Sequence, residues 1–231
     1  MAPLRTRSTA RLLHHISSTR VALPSVTRRS QRSITQAAGT MAENQAESEA
    51  PLFFFGTKSA YGAFSQWHVS DFTVSKAEIC AVLKQPLEAL FPGKQDEPIT
   101  FKTAEQFMMY CKATVFHDPE TAEEIMHTVD PRSQKALGRS VANFTEGGWD
   151  EVKFEVVELA SRAKFGQNAQ LKALILGTGD RELVEAAPRD RIWGIGFGEK
   201  TARLMRSRKE WGQNLLGKAL MSARDHLRAN Y

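Results

Sequence analysis

Thr103-Ala-Glu-Gln-Phe-Met-Met-Tyr-Cys-Lys-Ala-Thr-Val115 is the stretch that decides the class of fold. Thr103 with Gln106 three residues later is a capping box, in which the threonine accepts from the Gln106 amide and the glutamine reaches back. Ala104, Phe107, Cys111 and Val115 follow at helical spacing, so a helix runs to Val115 with one apolar face. Downstream the same signals repeat. Asp118-Pro119 and Asp130-Pro131 each pair an N-cap with proline at the first helical position, and Gly138 ends the second of these helices. Trp149 to Phe165 reads as a longer helix, Asn168 to Leu176 as another stopped by Gly177, and Asn214 to Leu227 as the last. Upstream, Phe72-Thr-Val74 suits pairing with Ile99-Thr-Phe101, with helical spacing between them from Lys76 to Leu90. Leu52–Phe55 and Ala63-Phe64 read as short strands or a hairpin around Gly56 and Gly62, and Leu183–Ala186 as a short strand. The sum is an α+β domain over residues 51–231, mainly α-helical, with a small β-sheet.

The formal charge of +5 belongs to the front of the chain. Residues 1–40 hold seven arginines and no lysine, aspartate or glutamate; removing those seven from the 31 basic residues leaves 24 against 26 acids, a formal −2. A globule so balanced has no overall field for sequence-independent nucleic-acid binding. The Arg/Ser/Thr-rich segment 1–40, with the amphipathic piece Thr9–Ile16, has the composition of a mitochondrial transit peptide, or of a plain basic arm. The acidic stretch after Met41 is too poor in apolar residues to offset its ordering entropy, so residues 1–50 read as a disordered targeting segment and linker; initiation at Met41 gives a cytosolic form. No apolar run approaches a membrane span, and no membrane partner is expected. Cys80 and Cys111 make neither a zinc signature nor a disulfide scaffold, and His68, His117, His127 and His226 share no ligand spacing; neither a metal nor a cofactor is expected.

Glu105 stands out by position. At the second residue of a capped helix, the exposed amides favour a carboxylate. Met109 and Lys112 follow on its face, Lys112 about 10 Å along the axis. Together they can line a pocket for a phosphorylated sugar; the same placement suits a solvated first-turn glutamate. In Pro188-Arg-Asp-Arg-Ile-Trp-Gly-Ile-Gly-Phe-Gly198, alternate glycines free the backbone for close approach to a ligand. Trp193 offers a planar face to a base, and Asp190 and Arg191 supply opposite charges. Arg139 can grip phosphate or satisfy the last carbonyls of its helix. Asn214 resembles an N-cap, and Gly217 permits tight helix packing.

Taken in order, Thr103–Gln106, Gly138-Arg139, Trp149 and the helix after it, Lys164-Phe165, Leu174–Gly179, Leu183-Val-Glu185, Pro188-x-Asp190, Ile192-Trp-Gly194 and Gly212–Gly217 resemble the NADAR, or YbiA-like, family, from about Phe53 to Leu227. The resemblance implies the YbiA-like, mostly helical fold and an N-glycosidase activity on early riboflavin-pathway phosphoribosyl intermediates. It also implies a link to NAD and ADP-ribose chemistry, including removal of ADP-ribose from guanine in some branches. It maps the family's helix-start glutamate onto Glu105 and its tryptophans onto Trp193 and Trp149. Two positions depart from the pattern: Ile195 where bacterial riboflavin-type members often carry aspartate, and Gln66 in Phe64-Ser65-Gln66 where the family has asparagine. Such departures suit a branch with another leaving group.

On this reading Glu105 stabilises an oxocarbenium-like transition state and orients or deprotonates the water, while Asp190 protonates or hydrogen-bonds the leaving base. Trp193 and Trp149 hold the base, Lys112 and Arg139 the phosphate, and Ser65 and Asn214 complete the binding set. The expected partner is a small ribosyl nucleotide, with nucleic acid a partner only if an ADP-ribosylated base is the substrate. An ADP-ribosyl hydrolase, a non-catalytic NAD or ADP-ribose reader, and a scaffold with a sealed pocket are the alternatives. The glycines and charges of Gly196 to Arg208 suit a loop that closes over a ligand.

Overall fold

Helix α3 (Ala104–Val115) is the axle of the molecule. In the computed structural model, which describes residues 50–230, nearly every α3 side chain from Ala104 to Thr114 is buried. It packs against α4 (Pro119–His127), α5 (Pro131–Arg139) and α7 (Lys153–Gly166). The expected one-sided stripe is therefore surpassed: residues off the stripe, Glu105 among them, are enclosed by neighbouring helices. α7 in turn packs against the C-terminal α10 (Leu215–Ala229) and α8 (Ala169–Leu176).

Two small sheets frame this bundle. β1 (Leu52–Phe54) runs parallel to β4 (Leu183–Glu185), and β2 (Phe72–Ser75) antiparallel to β3 (Pro98–Phe101) with Phe72 opposite Phe101. The second pairing is the one the β-prone runs predict. An aromatic cluster holds it to α3, with the rings of Phe101 and Phe107 edge to face at 4.9 Å. The architecture is α+β and mainly helical, with four short strands among the described residues.

Several local expectations are corrected. No hairpin forms around Gly56. β1 takes β4 as its partner, and Gly62–Phe64 is a 3₁₀ turn. Leu52 and Phe54 are 2% exposed, so burial among helices outweighs the nearness of Phe64 in sequence. At Gly62 an added Cβ would lie 2.2 Å from the Thr57 carbonyl, which is why the chain can fold so tightly on itself there. The Lys76–Leu90 helix is two, α1 (Lys76–Leu83) and α2 (Leu87–Leu90). Lys84 closes α1 in the left-handed conformation (φ 56°) and Pro86 precedes the next turn. Trp149 lies not in the long helix but in α6 (Glu146–Asp150), which Thr145 caps. α5 continues through Gly138 to Arg139, because Met109 fills the space a side chain would need. The Gly196–Arg208 stretch is no open loop: it contains α9 (Glu199–Leu204). Cys111 is fully buried, as expected of a core cysteine.

Residues 1–49, and with them the transit-peptide reading and the Met41 start, lie outside the described residues. No helix of the described residues is long and apolar enough to cross a membrane.

Candidate active site

The start of α3 is held by a buried polar collar. The Thr103 hydroxyl accepts from the Gln106 amide (3.0 Å) and donates to the Gln134 side-chain oxygen on α5 (3.1 Å). Gln106 completes the box one residue early: its Oε1 accepts from the Lys102 amide, while its Nε2 donates to the carbonyls of Ile125 and Met126 at the end of α4. The Glu105 amide donates to the Gln66 carbonyl (3.1 Å), which ties the Ser65–Trp67 segment to the same point. Behind that segment, the wholly buried Lys164 ammonium donates to the carbonyls of Ala63 and Ser65. Burial pulls its pKa down to about 7, against the preference of two accepting carbonyls for the charged form.

These contacts build one wall of a cavity of about 590 Å³, within the range of small-molecule sites. Glu105 lies in it, 2% exposed, with no partner for Oε1. Burial raises its pKa to about 7; the Lys135 charge and hydrogen bonding from Trp67 oppose this, the Asp190 charge adds to it, and Arg139 opposes it from farther off. The solvated-glutamate alternative therefore fails, because the collar and α5 enclose the first turn of α3.

A second acid comes from the end of β4. Glu185 lines the same cavity, and its Oε2 is buried without a hydrogen-bond partner. Its backbone is fixed on both sides: the amide donates to Asn214 Oδ1 (2.9 Å) and the carbonyl accepts from the Ile195 amide (3.0 Å). Burial pushes its pKa up to about 8, helped by the negative charges of Asp190 and Glu105 and opposed by Lys135.

The loop after β4 supplies the opposite wall. Asp190 accepts at Oδ1 from the amides of Ile192 (3.0 Å) and Trp193 (2.9 Å), and so sets the position of Trp193. Trp193 and Trp67 both line the cavity. The alternate glycines serve packing rather than a ligand. A Cβ on Gly194 would stand 2.8 Å from the Glu185 carbonyl, and Gly196 adopts φ 79° against the Arg191 stem.

Of the residues singled out from sequence, Glu105, Asp190, Trp193 and Ser65 meet around this cavity. Four others lie elsewhere. Lys112 donates to the Gly138 carbonyl (2.7 Å) and lies 3.8 Å from the centre of the Phe144 ring. Arg139 ends α5 beside it, outside the cavity wall. Trp149 is a core residue, 9% exposed. Asn214 does not cap α10 with its side chain. It binds the strand, donating from Nδ2 to the Leu183 carbonyl while Oδ1 receives Glu185. The cations that do line the cavity are Arg132 and Lys135 of α5 and Arg189 of the loop. Arg132 and Lys135 share a helix face at i,i+3, but a charged face on a short helix gives no sign of what it faces. Trp67 and Glu185 were equally silent, each needing a distant segment to enclose it. Of the two family departures, Gln66 lines the cavity, whereas Ile195 is buried in a small apolar cluster with Val184 and Ala202. Among the described residues, no group of three or more His, Cys, Asp or Glu side chains is arranged to hold a metal ion.

The NADAR domain family model matches residues 53–228. An N-glycosidase of Acanthamoeba polyphaga mimivirus is 37% identical over 182 residues, covering 78% of this chain and 97% of that protein. The N-glycosidase YbiA of Escherichia coli (strain K12) is 32% identical over 174 residues, covering 75% and 86%. The NMR structure of the E. coli protein YbiA superposes with a TM-score of 0.56 at 27% identity, over 79% of this chain and 87% of that one.

Proposed function

The chain belongs to the NADAR domain family, and from that premise we propose that it is an N-glycosidase, a hydrolase that breaks the C–N bond of a ribosyl nucleotide. The observation that carries this reading is Glu105, a buried carboxylate with an unpartnered oxygen in the wall of a nucleotide-sized cavity. Breaking an N-riboside develops positive charge at the anomeric carbon. A carboxylate in a water-poor site stabilises that charge without reorganising, and with a pKa near 7 it can also take a proton from the attacking water. Trp67 and Trp193 offer planar faces to the base. Arg132 and Lys135 take the place of Lys112 and Arg139 as the cations for phosphate.

The substrates we propose are phosphoribosyl nucleotides of the early riboflavin pathway. A second reading, removal of ADP-ribose from guanine or a related adduct, is favoured by cations on two elements, α5 and the Arg189 loop, which suits a ligand with two phosphates. The test uses the full chain, wild type and Glu105→Gln, with early riboflavin-pathway ribotides, NAD, ADP-ribose and ADP-ribosyl-guanosine. Free base and ribose product are read by mass spectrometry. Release by wild type and its loss in the variant is expected; near-normal turnover by a folded variant removes Glu105 from the chemistry. Saturable binding without release from any substrate points instead to a reader of NAD or ADP-ribose. We also propose that residues 1–40 direct the chain to mitochondria, on their arginine-rich, acid-free composition. Import into isolated mitochondria by the full chain, and none by the chain begun at Met41, is the expected result.

A further inference from the structure

The N-glycosidase reading leaves the proton for the departing base without a donor. Asp190 suits the part poorly, since its Oδ1 already accepts from the Ile192 and Trp193 amides. We infer that Glu185 is the general acid, and that Glu105 and Glu185 work as a pair across one cavity. This inference rests on the N-glycosidase reading and adds to it a residue and a role.

Three features of Glu185 support the assignment. It lines the cavity that holds Glu105, from a different element. Its Oε2 is buried and unpartnered, so a proton there is free for a ligand. Its backbone is clamped by Asn214 and by the Ile195 amide, so the side chain is presented from a rigid strand end. The charged groups around the cavity are Glu105 from α3, Arg132 and Lys135 from α5, and Arg189 and Asp190 from the loop. Within this set the two acids are unequal. For Glu105 the Lys135 charge is the foremost influence after burial, and it favours the carboxylate. For Glu185 the foremost is the Asp190 charge, and it favours the acid. Two titratable groups whose surroundings push them apart divide into base and acid.

The step balances. Glu105 takes a proton from water as the water oxygen bonds to the anomeric carbon. The C–N bond breaks with its electron pair going to the base nitrogen, which receives the proton from Glu185. One water is consumed, and transfer of the proton from Glu105 to Glu185, directly or through solvent, restores the starting state.

The experiment compares full-length wild type, Glu185→Gln and Glu185→Asp on two substrates. One is an early riboflavin-pathway ribotide, whose base needs a proton to leave. The other is 4-nitrophenyl β-D-ribofuranoside 5-phosphate, whose phenolate leaves without one. For Glu185→Gln, kcat on the ribotide is expected to fall about 100-fold or more, the usual contribution of a general acid, with KM within about threefold. On the aryl riboside the same variant is expected to stay within about fivefold of wild type. The wild-type pH profile on the ribotide rises as Glu105 ionises and falls as Glu185 loses its proton, both values belonging to the pair. Glu185→Gln loses the falling limb, whereas Glu185→Asp is slower and keeps it. Equal losses on the two substrates, or an alkaline limb that persists in a folded Glu185→Gln protein, overturn the assignment. If the aryl riboside is not turned over, the limb alone decides. Absence of base release by wild type defeats the N-glycosidase reading itself, a failure visible without any variant.

Discussion

A buried carboxylate that serves chemistry should cost the fold stability, and at Glu105 the cost can be dated by pH. Its pKa is about 7 in the folded protein against an ordinary 4.5. Between those values the folded state holds more protons than the unfolded state, so the stability contributed by this site declines as pH rises through that window and stays low above it. At about 1.4 kcal/mol per pH unit, the full penalty is about 3.4 kcal/mol above pH 7, with less than about 1 kcal/mol of it present at pH 5. Glu105→Gln keeps the shape and removes the charge. The variant is therefore expected to gain about 2.5 kcal/mol relative to wild type between pH 5 and pH 8. Any fixed cost of the buried amide cancels in that difference. For a domain of this size the gain corresponds to about 5–10 °C in melting temperature. Thermal melts of both proteins at the two pH values are the assay, with turnover measured in parallel. A variant-minus-wild-type offset that is the same at pH 5 and pH 8 refutes the reasoning, because it means that the Glu105 carboxylate is not desolvated in the folded state.

Other perturbations test the scaffold and the cations. Asn214→Ala removes two buried hydrogen bonds to β4 and puts alanine at φ 52°, so urea unfolding should register a loss of about 3 kcal/mol; a loss under about 1 kcal/mol contradicts the clamp. Gly138→Ala places a Cβ 1.9 Å from the Met109 sulfur and should cost about 1–3 kcal/mol. Met109→Ala alone also destabilises by cavity formation, and the double variant should recover more than about 1 kcal/mol of the summed loss; simple additivity means that the two residues do not meet. Lys135→Met removes the cation that most favours the Glu105 carboxylate. The acid limb of the pH–rate profile should then move toward alkaline pH, and KM for a phosphorylated substrate should rise about tenfold, some 1.4 kcal/mol of binding. An unmoved limb would separate Lys135 from the site's electrostatics.

The helices were legible where the signal is local. Asp118 and Asp130 cap their helices with proline next in line, Asn168 caps α8, and Thr103 caps α3, because a cap is made within four residues of chain. The β2–β3 pairing was legible too, since β-prone runs flank a short helical insert. Breaks inside helical patterns were harder to read. A left-handed Lys84 and the step from α6 to α7 at Val152 leave the apolar spacing almost intact.

For the site, one residue and one loop could be picked out in advance, and their neighbours could not. Glu105 carries a positional mark, the first turn of a capped helix, and Trp193 sits in an unusual glycine run. Whether that glutamate meets water or a cavity depends on α5 and on the Ser65–Trp67 segment crossing its first turn. The pairing of Glu105 with Glu185 depends on β4 seating against β1, a contact between residues some 130 positions apart in the chain. Lys112 and Glu105 share a face of α3, yet α5 covers that face beyond the first turn and turns Lys112 toward the Gly138 carbonyl. Spacing along a helix settles which side chains point the same way. Which of them are desolvated, and so have their proton affinities shifted, is set by what packs against that face from elsewhere in the chain, and the family's residues acquire their chemistry there.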